Sequence, residues 1–134
     1  MSQLQGGDAV SSTTAVTLTN GAQTTVITGN FVTPPLGTFK AKVIAHVVIT
    51  LGSIPTNVAL VIFRNPNGDN VQVYSSGSIT AGVAAGVVIT FVAAVTDIVP
   101  DGRPVQYRLS VSANGTGTND VTLAQYIEVI LLSG

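Results

Sequence analysis

In an extended chain residues i and i+2 share a face, and this sequence alternates on that period over much of its length. Across residues 103–113, Val105, Tyr107, Leu109, Val111 and Ala113 fall on one side, and Gln106, Arg108, Ser110 and Ser112 fall on the other. A strand of that kind has one apolar face and one wet face, as in an antiparallel sheet packed on a core. Residues 38–51 set Phe39, Ala41, Val43, Ala45, Val47, Ile49 and Leu51 against a mixed face of Lys40, Lys42, Ile44, His46, Val48 and Thr50. Two further stretches are apolar on both sides. Residues 86–95 oppose Val87, Ile89, Phe91, Ala93 and Val95 to Val88, Thr90, Val92 and Ala94. Residues 120–132 oppose Val121, Leu123, Ile127, Val129 and Leu131 to Thr122, Ala124, Tyr126, Glu128, Ile130 and Leu132.

Turn-forming residues cut the chain between these runs: Asn20-Gly21, Thr33-Pro34-Pro35-Leu36-Gly37, Gly52-Ser53-Ile54-Pro55, Asn65-Pro66-Asn67-Gly68, Pro100-Asp101-Gly102 and Asn114-Gly115. Eight strands are predicted, over residues 15–19, 24–33, 38–51, 57–64, 70–80, 86–95, 103–113 and 120–132. Val and Thr, with 21 and 17 copies, dominate the composition and favour the pleated surface of a sheet. Regularly spaced short strands with no sustained helical period predict an all-β fold, an eight-stranded antiparallel β-sandwich or barrel. Residues 1–14 carry no such alternation and are expected to form an N-terminal arm ahead of a single domain over 15–134. Met1–Val10 has neither a basic nor an apolar region of a secretory signal, so the mature chain is expected to begin there. Residues 81–99 approach the length of a membrane helix, but Gly82, Gly86, Thr90, Thr96 and Asp97 interrupt them and no aromatic or basic anchors flank them. They are expected to form a buried strand, with no membrane insertion.

Composition narrows the function. Of 134 residues, 46 % are hydrophobic and 8 % charged, against a usual charged share of about 25 %, so disorder is excluded. A net charge of −1 provides no basic field for nucleic acid. There is no Cys, and one His, one Glu and two Lys are a poor stock for acid–base or nucleophilic catalysis. No catalytic set and no cofactor are expected.

Only one face of each sheet in a sandwich meets the core, so a second apolar face requires another cover, and a further subunit is the expected one. Residues 58–63 (VALVIF) are also apolar on both faces. His46, between Ile44 and Val48, is read as a hydrogen-bonded or exposed ring, with a metal or pH-sensing role as the sharper alternative. Asp97 and Asp101 bracket Pro100 and are read as loop caps, since two carboxylates fall short of a calcium site. Asn114-Gly115-Thr116 is read as a turn rather than a glycosylation site. Glu128, costly to bury alone, is expected to meet Arg108, Lys40 or Lys42 or to end an assembly axis.

Several of these segments resemble the C1q/TNF-like jelly rolls of bacterial and phage surface proteins. Gly37-Thr38-Phe39 opens a long strand AKVIAHVVITL, VALVIFRNPNGDNV follows as strand, polar Asn-Gly turn and strand, and a glycine leads residues 86–91. The terminal VTLAQYIEVILL resembles the family's last central strand. The resemblance implies a homotrimer with the third, sixth and eighth strands in an inner sheet lining the threefold axis and the seventh in the outer sheet. The trimer interface is then expected at Val88, Val92, Tyr126, Ile130, Leu132, Ile44 and Val48. The implied function is a non-enzymatic structural protein that builds or decorates a larger particle, a virion first and a spore or cell surface second. Its expected partners are copies of itself and other structural proteins of that particle. The alternative is a glycan- or receptor-binding module using rings such as Tyr74.

Overall fold

The alternating runs pair into two sheets facing one another across a shared apolar layer. The computed structural model describes residues 4–18, 21–33, 39–50, 56–65, 68, 70–81, 88–99, 104–115 and 121–133. In chain order the strands are β1 (Leu4–Ser12), β2 (Val16–Thr17), β3 (Gln23–Thr28), β4 (Phe39–Thr50), β5 (Thr56–Arg64), β6 (Val71–Ser75), β7 (Ile79–Ala81), β8 (Val88–Val99), β9 (Tyr107–Gly115) and β10 (Val121–Ser133). The first sheet has the order β1-β10-β4-β8, with β2 also on β10; the second has the order β3-β9-β5-β6, with β7 also on β5. Every pairing is antiparallel. Among the described residues no helix is long and apolar enough to cross a membrane.

Among the described residues ten strands occupy eight positions, because β1 and β2 share one flank of β10 and β6 and β7 share one flank of β5. First and last positions pair, as do second and seventh, third and sixth, and fourth and fifth. That nesting is a jelly roll, the eight-stranded all-β sandwich expected from the alternation. The third, sixth and eighth expected strands share one sheet and the seventh lies in the other.

Inward residues of β4 (Phe39, Ala41, Val43, Ala45, Val47, Ile49) and β10 (Ile127, Val129, Leu131) meet those of β5 (Val58, Leu60, Ile62) and β9 (Tyr107, Leu109, Val111, Ala113). All are buried. Each large aliphatic side chain removed from water contributes about 1.5–3 kcal/mol, so these four strands carry most of the folding energy.

The structure departs from the alternation in several places. Residues 4–12, within the stretch expected as an arm, form an edge strand along β10. Their alternation is weak because backbone pairing, not burial, holds them there. The expected strand 70–80 breaks at Ser76-Gly77-Ser78, where Gly77 takes φ 68°. Ser76 bridges the break: its N–H donates to the Leu60 carbonyl at 3.0 Å and its hydroxyl accepts from the Leu60 N–H at 2.9 Å. Ser110, expected on a wet face, is 1 % exposed. It sits opposite Val61 and Thr25 in the middle of its sheet, where larger neighbours close over a small side chain. The apolar outer side of β5 is thereby accounted for, since Val61 is hemmed by Ser110 and Ser75 and the Arg108 guanidinium lies 4.8 Å above the Phe63 ring.

Asp97 was expected in a loop and lies inside β8. Arg64, ending β5 of the opposite sheet, donates from one Nη to both its oxygens at 2.9 and 2.8 Å, and the Tyr107 hydroxyl of β9 donates to it at 2.7 Å. A charge able to end a strand is here neutralised across the sandwich. Burial, then the bond to Asp97, raises the Tyr107 hydroxyl far above the usual phenol range. An unfolded chain ionises this tyrosine near pH 10 while the folded chain keeps it protonated. Stability present below that pH therefore falls as pH rises beyond it, by about 1.4 kcal/mol per unit. Urea unfolding should show this alkaline slope and show it reduced in Tyr107→Phe. Asp97→Ala, which strands the Arg64 cation, should cost about 3 kcal/mol at neutral pH.

Candidate functional site: the outer face of the first sheet

The side of the first sheet turned away from the core carries the alternate residues of β4, β8 and β10. Register sets them in rows. Ser11, Tyr126, His46 and Val92 form one row, and Ala9, Glu128, Ile44 and Ala94 the next. Gly7, Ile130, Lys42 and Thr96 follow, and then Leu132, Lys40 and Ile98. On the other side of the Tyr126 row lies the row of Ala124, Val48 and Thr90. The seven residues expected at an interface, Val88, Val92, Tyr126, Ile130, Leu132, Ile44 and Val48, therefore share one face. Val88 and Val92 are 52 % and 62 % exposed, and the other five are half-buried among their neighbours. Ile98, 66 % exposed, extends the face. Alternation missed it because the sixth strand was expected to end at Val95, before Asp97.

Lys40, Lys42, Thr90 and Thr96 lie exposed among the apolar residues of this face, and three polar side chains near its centre meet one another. The Tyr126 ring stacks on His46 with centroids 4.9 Å apart and planes 15° apart. Its hydroxyl donates to Glu128 Oε2 at 3.0 Å. That bond first, then desolvation and the carboxylate charge, raises the Tyr126 pKa above the usual phenol value. Glu128 thus meets Tyr126 rather than Arg108, which lies in the other sheet over Phe63. Among the described residues the Arg64 to Asp97 pair is the ion pair formed, and neither Lys40 nor Lys42 reaches Glu128. His46 Nδ1 is buried without a hydrogen-bond partner.

The expected parity of β10 holds from Ala124 onward and fails before it. A register shift between Thr122 and Ala124 leaves Leu123 on the surface and turns Thr122 inward, while Gln125 is buried on the expected inward side. Both buried residues hold backbone. Thr122 Oγ1 accepts from the Val16 N–H at 3.0 Å, and Gln125 Nε2 donates to the Thr14 carbonyl at 2.7 Å. The link between β1 and β2 is pinned by these two side chains, and nothing in the alternation distinguished them.

The remaining candidates do not gather. Asp97 is spent on Arg64 and Tyr107, and Asp101 lies outside the described residues. Among the described residues no cluster of three His, Cys, Asp or Glu forms. Asn114, expected in a turn, lies in β9 opposite Asn57, and Thr116 of its sequon lies outside the described residues. Tyr74 is half-buried and packs against the core, and Tyr107 is fully buried.

No protein-family model and no curated protein matches the sequence. Solved structures do match its fold. The T13 viral particle of infectious bursal disease virus (IBDV) aligns with a TM-score of 0.57 and 9 % identity over 98 % of this chain and 34 % of its own. The VP2 subviral particle of the same virus aligns at 0.55 and 10 %, over 95 % and 33 %. The Gx strain of the virus aligns at 0.54 and 9 %, over 96 % and 37 %. The chain spans about a third of the length of these capsid chains. At such identity the likeness is one of fold: a β-sandwich of the kind found in viral capsids.

Three tyrosines and no tryptophan make near-ultraviolet absorbance a direct record of phenol ionisation. Glu128→Gln should move the Tyr126 transition down towards the ordinary phenol value of about 10. An unchanged titration would mean that Glu128 does not hold the Tyr126 hydroxyl.

Proposed function

We propose that this protein is a non-enzymatic structural component of a virion, assembling as a homotrimer through the outer face of its first sheet. The observation that carries the reading is the uncovered apolar face itself: Val88, Val92 and Ile98 lie open beside Ile44, Val48, Tyr126, Ile130 and Leu132. Exposed large apolar residues gathered on one face mark an interaction surface, whereas scattered ones do not. The threefold arrangement follows the C1q/TNF-like jelly rolls, in which the sheet containing the third, sixth and eighth strands lines the axis. The virion location is supported by the fold shared with viral capsid proteins. The trimer would build or decorate the particle together with its other structural proteins.

Ile130 sits between Gly7 and Lys42, one row in from the Leu132 end of the face. Burying such a side chain contributes about 1.5–3 kcal/mol, and threefold symmetry repeats the contact in every copy. Ile130→Asp would bring three carboxylates towards one axis. Sedimentation equilibrium should find the parent chain trimeric at micromolar concentration and Ile130→Asp dispersed. Ser110 is too buried to serve as a surface control. Thr28→Asp, exposed in the second sheet opposite Arg108, should remain trimeric. A monomeric parent, or a trimer that tolerates Ile130→Asp, would overturn the reading.

A further inference from the structure

An edge strand presents unpaired N–H and C=O groups, and β proteins blunt such edges by shortening, bulging or charging them. Three flanks of this sandwich are blunted. β1 has a register shift between Leu4 and Gly6, where Gly6 takes φ 145°. β3 has six residues and a shift between Thr25 and Ile27. β6 and β7 have five and three residues, with a shift opposite β6 between Ile62 and Phe63. β8 differs from all of these. Its 12 residues pair with β4 one to one, from Val88 opposite Thr50 to Val99 opposite Phe39, with no shift. It contains no Pro, Gly, Lys or Arg, and its one charge, Asp97, turns inward and is taken up by Arg64. Among the described residues nothing pairs with its far side.

The sequence of β8 identifies what fits there. Two copies of one strand can pair antiparallel about a twofold axis normal to the sheet, and both sheets then keep the same outward face. With the axis at Ala93, the outward residues meet as Val88 with Ile98, Thr90 with Thr96, and Val92 with Ala94. Apolar residues then face apolar residues and Thr faces Thr, pairings that stabilise antiparallel ladders. Moving the axis to Val92 sets Val88 against Thr96 and Thr90 against Ala94. Moving it to Ala94 sets Thr90 against Ile98 and Val92 against Thr96. Only the Ala93 register matches throughout the outer face.

We propose that β8 pairs with β8 of a second copy of this chain about a twofold axis at Ala93, joining two sheets of four positions into one of eight. The contact uses main-chain groups, whereas the proposed trimer contact uses side chains of the outer face, so the two readings stand or fall separately. Together they would serve the same end, because a twofold contact added to a threefold one extends a closed trimer into a shell or lattice.

The chain has no cysteine, so cross-linking reads the register directly. Thr90 and Thr96 are both exposed. Within one strand they lie about 20 Å apart and cannot bridge. Across the axis they are directly opposite, with Cα atoms about 4.5–5.5 Å apart. Thr90→Cys/Thr96→Cys should oxidise to a covalent dimer as its main species on non-reducing electrophoresis, and thiol should reverse it. Each single variant, and the off-register pair Thr90→Cys/Ala94→Cys, should stay largely monomeric. The dimer should also form in the Ile130→Asp background, which isolates the edge from the face contact. Absence of the dimer, or equal yield from the single variants, would overturn the edge pairing whatever the fate of the trimer.

Discussion

Two packed sheets have four faces and only one shared core, so the two outer faces must be polar or covered. Most features of this molecule follow from how each face meets that constraint. The second sheet meets it within the chain: Ser110 and Ser75 hem Val61, and Arg108 lies over Phe63. The first sheet does not. Its outer side carries Val88, Val92 and Ile98 in the open beside exposed Lys40 and Lys42, with Tyr126 joined to His46 and Glu128 between them.

Polar groups inside the sandwich have a different task. Asp97, Thr122, Gln125 and Ser76 each hold a segment whose apolar content would not hold it. Asp97, bonded by Arg64 and Tyr107, ties the end of β8 to the opposite sheet. Thr122 and Gln125 pin the passage from β1 to β2. Ser76 carries the flank of β5 across the break between β6 and β7. Buried polar groups are tolerated where they are bonded, and here each bond closes a gap in a ladder or between sheets. The core strands β4, β5, β9 and β10 need no such help, because their alternating apolar residues supply it.

Among the described residues Arg64 and Asp97 pair across the sandwich, and Lys40, Lys42 and Glu128 lie on the outer face of the first sheet. The similarity to capsid chains of infectious bursal disease virus is one of fold at about a third of their length. What this chain offers for assembly is its own: the outer face of the first sheet and, among the described residues, the unpaired edge of β8.

The period of two belongs to the local chain, so the sequence alone was enough to locate the core strands, their inward residues and the doubly apolar segments. Phe39 to Ile49 on β4 and Tyr107 to Ala113 on β9 read directly into the core. Bonds to distant residues decided the rest. The bulge at Leu123 reversed the parity ahead of Ala124 and turned Thr122 to the N–H of Val16, more than 100 positions away. β8 ran on through Asp97 because Arg64 and Tyr107 waited on the facing sheet. β1 formed because β10 offered it a backbone edge. Local periodicity shows which side of a strand is apolar; only the packed neighbours decide where a strand ends, where it slips and which polar atoms can be buried.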